Sequence, residues 1–112
     1  MKVKLNFTDR IKILSLLPTK GSFFIINLVE DFKKIVAFSE DDIKEYKIKF
    51  DDNNIKWTGQ YDKEVEIGET VLTEINKTIL ELNKKNDIGL DMLPLINKVV
   101  TTETMEELNK QD

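Results

Sequence analysis

The chain contains no cysteine and no histidine. Without thiols there is no disulfide framework, thiolate metal site, CxxC redox pair or cysteine nucleophile. Without imidazoles there is no His-ligated metal and no Ser-His-Asp or Cys-His catalysis. Only carboxylate, lysine, tyrosine or serine chemistry is left. Glycine and proline are sparse, at four and two of 112 residues, which argues for regular elements rather than a linker or a disordered tail. No run approaches the roughly 18 apolar residues of a membrane span, and the opening Met1-Lys2-Val3-Lys4-Leu5-Asn6 lacks the apolar core of a secretory signal. A cytoplasmic location is expected. Arginine is nearly missing as well: Arg10 stands alone beside sixteen lysines, and with the abundant Ile and Asn this fits an AT-rich coding sequence.

What is present describes one ordered domain. The length suits a single hydrophobic core, expected over residues 1–100 with a polar, frayed tail over 101–112. The net charge of −4 gives no overall field that would draw nucleic acid or an anionic membrane, so only a local patch could do so. The most apolar stretch, Phe23 to Phe38, carries Ile25, Leu28, Val29, Phe32, Ile35 and Val36 at helical spacing and is expected to be the central helix on which the rest packs. Phe23 and Ile26 lie off that stripe. They are either covered from a second side, the favoured reading, or form a small apolar patch for a partner.

The remaining elements follow from period and punctuation. Val3 and Leu5 alternate with Lys2 and Lys4 as a short strand. Thr8 is placed to cap a helix carrying Ile11, Ile13, Leu14, Leu16 and Leu17 and ending at Pro18, and Ser22 to cap the central helix, the two forming a helical hairpin. Ser39 and Asp42 make an acidic capping box with Phe38 and Ile43 as its staple, so a short helix starts at Glu40. A hairpin turns at Asp51-Asp52-Asn53-Asn54. Its register sets Phe50 opposite Ile55 on an apolar face and Lys49 opposite Lys56, with Lys47 nearby, on the other. The turn fails as a calcium loop, because Ile55 and Lys56 stand where a ligand and a glycine are required. Val65 and Ile67 alternate with Glu64 and Glu66, whose charges suit a neighbour bearing Lys2 and Lys4 or the hairpin lysines. Gly68 opens a long helix with a seam of Leu72, Ile75, Ile79 and Leu82, and a last helix from Asp91 tolerates Pro94 in its first turn. The fold class is therefore α+β: a small antiparallel sheet of three to four strands, packed on one face by four to five helices.

The order Phe7-Thr8-Asp9-Arg10, Leu16-Leu17-Pro18, Gly21-Ser22-Phe23, Phe38-Ser39-Glu40-Asp41-Asp42-Ile43-Lys44-Glu45, Ile55-Lys56-Trp57 and Val65-Glu66-Ile67-Gly68-Glu69 resembles a group of small bacteriophage and prophage proteins without an established activity. The resemblance spans roughly residues 3 to 100. It implies a phage-encoded accessory protein working in the cytoplasm of a bacterial host, and it supplies no functional residues.

The function expected is non-catalytic protein binding: inhibition of a host factor or defence system, or a minor role in assembly. The partner is a host or phage protein, with Phe23 and Ile26, and the acidic Glu40, Asp41, Asp42 and Glu45, as the surfaces to which it would bind. No cofactor, metal or membrane is implied, and self-association stays open. The alternative is a winged-helix-like nucleic-acid-binding protein using Lys47, Lys49 and Lys56 against phosphates, which the acidity of the third helix disfavours. A carboxylate enzyme is the third reading and the weakest, because the acids fall where caps, turns and outer strand faces demand them.

Overall fold

The computed structural model describes residues 1–58 and 61–110. The chain is α+β, and its core begins at a strand pair. Strand β1 (Lys2–Leu5) runs antiparallel to β4 (Lys63–Glu66), with Lys2 opposite Glu66 and Lys4 opposite Glu64. Val3, Leu5 and Val65 point into the core, and the opposite-charge pairs, each contributing about 0.2–1 kcal/mol, line the other face.

Helix α1 (Phe7–Lys12) starts two residues earlier than expected. Asn6, not Thr8, is its N-cap: the Asn6 side chain accepts from the Asp9 N–H at 2.8 Å, and the Asp9 carboxylate accepts from the Asn6 N–H at 3.1 Å. Three residues beyond Thr8 stands Ile11, which cannot return such a bond, so the reciprocal box fixes the earlier start. The chain then tightens into a 3₁₀ turn (Ile13–Leu16) ahead of Pro18, burying Ile13, Leu16 and Leu17 while Ile11 and Leu14 stay exposed.

Helix α2 (Phe23–Val36) is capped by Ser22 as expected, the Ile25 N–H donating to its Oγ at 3.2 Å. Its buried stripe is narrower than the sequence suggests. Val29, Phe32 and Val36 are buried, Ile25 and Leu28 are partly buried, and Ile35 faces solvent. Leu14 and Leu17 lie beside Ile26 and Val29, and Arg10 beside Val36, so the two helical segments do run as a hairpin.

The helix at the centre of the packing is instead α4 (Glu69–Lys84). It touches α2, the 3₁₀ turn, α5 (Leu93–Val99) and α6 (Thr102–Asn109); of the seam expected for it Ile75 and Ile79 are buried and Leu72 and Leu82 partly buried, with Val71 buried beside them. Its mean apolarity is lower than that of α2, yet it has neighbours on more sides, and position rather than composition decides burial. Leu95, Ile96 and Val99 of α5 complete the core.

Of the segment expected to fray, Thr102–Asn109 is helical, while 111–112 lie outside the described residues. Thr101 caps α6 by accepting from the Thr104 N–H at 3.3 Å, Thr104 is buried, and Leu108 packs on the core. A buried amide holds it in place: Asn76 of α4 donates to Val99 O at 3.2 Å and accepts from the Thr101 N–H at 2.9 Å. Its side chain thereby bridges the α5–α6 junction, which no periodicity announces.

Helix α3 (Glu40–Tyr46) has the capping box expected at Ser39 and Asp42. It ends one residue before Lys47, which takes the left-handed conformation at φ 51° and begins the hairpin of β2 (Lys49–Asp51) and β3 (Asn54–Lys56). The register is the expected one, Phe50 opposite Ile55 and Lys49 opposite Lys56. Asp52 and Asn53, at φ 41° and 71°, form the tight turn whose twist suits a two-residue hairpin.

The sheet does not form as expected. Among the described residues the four strands make two separate two-stranded sheets, β1–β4 and β2–β3. The face expected to be buried in the hairpin is open, with Phe50 72% exposed. Alternation fixes which side chains share a face, but it does not fix which strand edge they meet. Among the described residues, no helix is long and apolar enough to cross a membrane.

Candidate functional site

A buried guanidinium joins the first three helices. Arg10, at 1% exposure, donates from Nε to Val36 O at 3.0 Å and from Nη2 to Ala37 O at 2.6 Å and to Asp42 Oδ2 at 3.0 Å. One side chain thus ties α1 to the end of α2 and the start of α3. Its guanidinium stacks over the Phe38 ring, 4.3 Å from the centroid, and lies 5.8 Å from that of Tyr46. Planar fork geometry and weak hydration make arginine the cation for such a place.

The electrostatics follow from this packing. The hydrogen bond from Arg10 holds the Asp42 carboxyl down to about 2 against the opposing pull of burial, with the Ser39 N–H and hydroxyl adding two further donors. Burial alone would lower Arg10, but Asp42 and the Tyr46 phenol outweigh it and the net displacement is upward. Burial raises Tyr46 above its ordinary value. Arg10 Nη1 and the Tyr46 hydroxyl are buried without a hydrogen-bond partner among the described residues.

Asp42 is therefore structural, and the acidic surface expected on α3 is smaller by one charge. Glu40, Asp41 and Glu45 remain exposed. Placing Asp42 among surface residues failed because a first-turn carboxylate has a sufficient local role in its cap, and the long-range cation it meets is 32 positions away.

The start of α2 is open. Phe23 is 87% and Phe24 66% exposed, so the covered arrangement favoured by sequence is not the one adopted. Ile26, half-buried, lines a trough of about 440 Å³ with Leu14, Leu17, Pro18 and Val29. At its rim Glu30 and Lys33 lie 3.7 Å apart as an ion pair. The sequence singled out Phe23 and Ile26; Phe24 was the residue it missed.

The hairpin lysines keep their expected places. Lys49 and Lys56 are direct cross-strand neighbours, Lys47 precedes them at the end of α3, and all three are exposed. The acidic first turn of α3 belongs to the same segment.

A second concavity, of about 310 Å³, lies where the hairpin returns to α1. Phe7, Tyr46, Trp57 and Tyr61 supply rings to its wall, and Asn6, Thr8 and Asp62 supply polar groups. Trp57 stacks on Phe7 with centroids 4.2 Å apart, and Tyr61 meets Tyr46 edge-on at 5.4 Å. The backbone locks this end through the Thr58 N–H, which donates to Tyr46 O at 3.1 Å.

Among the described residues, no three His, Cys, Asp or Glu side chains are grouped to hold a metal ion. No protein-family model, curated protein or solved structure matches the chain.

Proposed function

We propose that this is a non-catalytic binding protein whose contact surface is the open face at the start of α2. The observation that carries the reading is the exposure of two adjacent phenylalanines, Phe23 and Phe24, in the first turn of the helix whose Ile26 lines an apolar trough. Exposed aromatic side chains held on a helix are suited to anchor a partner. The rim charges Glu30 and Lys33 neutralise one another, so the partner is chosen by apolar shape rather than by net charge. A segment with an apolar face, such as an amphipathic helix, fits that chemistry. A phage-type accessory role in a bacterial cytoplasm, on a host or phage protein, is the setting we propose for it.

The test compares affinity capture by the wild-type protein and by a Phe23→Ser/Phe24→Ser variant, each with and without nuclease and read by mass spectrometry. Covering a phenylalanine contributes about 1.5–3 kcal/mol, so losing both should weaken binding on the order of 100-fold or more. The expected result is a near-stoichiometric protein that survives nuclease and is lost with the variant. Recovery of the same proteins by both forms overturns the reading. Recovery of nucleic acid alone also overturns it, and moves the site to Lys47, Lys49 and Lys56. Light scattering on the purified protein identifies a second copy of the chain as the occupant if the wild type is dimeric and the variant monomeric.

A further inference from the structure

We infer that the recess between α1 and the base of the hairpin is a binding site for a small organic cation of the alkylammonium type. Trp57 and Tyr61 are its exposed rings, backed by the buried Phe7 and Tyr46, and polar groups line the rest. Trp57 is 44% exposed, so one indole face is taken by Phe7 while the residue still presents much of its surface outward. Ring faces attract cations through their quadrupole, and tryptophan does so best.

Charge points the same way. Asp62 lines the recess and is exposed, and no lysine or arginine is among the lining residues. Asp62 makes no ion pair among the described residues, so its carboxylate is available to a ligand. An anion would be repelled by that carboxylate and would find no cation to hold it. A wholly apolar ligand would strip water from Asn6, Thr8 and Asp62 without replacing their hydrogen bonds.

The aromatic cluster already holds one cation from within, since Arg10 lies over Phe38 and near Tyr46, with its charge balanced by Asp42. The outer side offers a second such position next to an unbalanced carboxylate. At about 310 Å³ the recess is at the small end of the ligand-pocket range of roughly 300–1,000 Å³, which suits a headgroup rather than an extended molecule. Such a group could come from a free quaternary amine or from a methylated lysine of another protein.

Trp57 is the sole tryptophan, so its fluorescence reports on the site directly. The experiment titrates the protein with choline, with N-acetyl-trimethyllysine amide, and with the uncharged isostere 3,3-dimethylbutan-1-ol, at ionic strength held constant with sodium chloride. The expected result is a saturable change with one or both cations, with a dissociation constant on the order of 1–10 mM, and none with the alcohol. The tighter of the two cations identifies the source. Asp62→Asn, a surface change checked for folding by circular dichroism, should weaken the cation by about three-fold. Equal response to the alcohol, no saturation by either cation, or an unchanged constant in Asp62→Asn overturns the inference. Backbone amide shifts in the wild-type protein give a second readout: ligand-dependent shifts must centre on Phe7, Tyr46 and Asp62, and shifts centred elsewhere refute it.

Discussion

Removal of the Asp42 carboxylate should be among the most damaging single changes in the molecule. In Asp42→Ala, Arg10 keeps its bonds to Val36 O and Ala37 O but loses the anion that balances it, at a position 1% exposed. Breaking one side of a buried ion pair costs about 3–5 kcal/mol, and the two retained carbonyl bonds place this case near about 3. The same change removes the acceptor for the Ser39 N–H, adding about 1 kcal/mol at the start of α3. The sum, about 4 kcal/mol, is a large part of the roughly 5–15 kcal/mol that holds a domain together. Urea unfolding followed by circular dichroism measures it, and with a slope of about 1–3 kcal/mol/M the midpoint should fall by roughly 1–4 M. In an Arg10→Met background, where the same substitution strands no cation and removes a carboxylate that has lost its counter-ion, the cost should be no more than that of the cap, about 1 kcal/mol or less. A loss under about 1 kcal/mol in the wild-type background, or an equal loss in both, would refute the pairing argument.

The Asp42 carboxyl, held down to about 2 from an ordinary 3.8, should also shape acid stability. Its folded value is depressed, so its contribution is complete above pH about 4 and disappears as pH falls toward about 2, amounting to about 2 kcal/mol; Asp42→Asn should flatten the unfolding free energy across that window. Asn76→Ala leaves the Thr101 N–H without its acceptor and should cost about 2 kcal/mol, with amide exchange in α6 accelerated more than in α4. Lys47 holds φ 51° without being glycine, so Lys47→Gly should raise the unfolding free energy by about 0.5–1 kcal/mol, whereas Lys47→Val should lower it, both read from urea unfolding. Phe23→Ser/Phe24→Ser should leave stability within about 0.5 kcal/mol, because neither ring is packed.

Local chemistry was legible in the sequence wherever the signal and its consequence lie within a few residues. The Ser39 and Asp42 box, the Ser22 cap and the Phe50–Ile55 register all have that character. The start of α1 was misplaced for a related reason: Thr8 is a good cap in isolation, and only the return bond from Asp9 favours Asn6. What stayed hidden depends on contacts across the chain. Arg10 reaches residues 26 to 32 positions away, and Asn76 reaches Val99 and Thr101. A signal did exist for the first of these. A lone arginine among sixteen lysines marks a position where a guanidinium does what an ammonium cannot. No comparable mark sets Asn76 apart from the other asparagines.

The candidate surfaces divide the same way. Off-stripe positions Phe23 and Ile26 were visible from helical spacing, but whether another element covers them is a matter of tertiary arrangement, and none covers Phe23. The aromatic recess joins residues from α1, α3 and the hairpin exit, three segments whose meeting no spacing rule encodes. Trp57 lies just past β3 and stacks on Phe7 of α1.

The central claim, that the start of α2 is a contact surface for another protein, is tested most directly by photocrosslinking in cells. A photoreactive phenylalanine analogue is placed at position 23, and in a parallel strain at position 34, an exposed site near the other end of the same helix. The account predicts a discrete protein adduct from position 23 and none from position 34. Adducts of equal yield from both positions, or none from position 23 while affinity capture still recovers a protein, would contradict it.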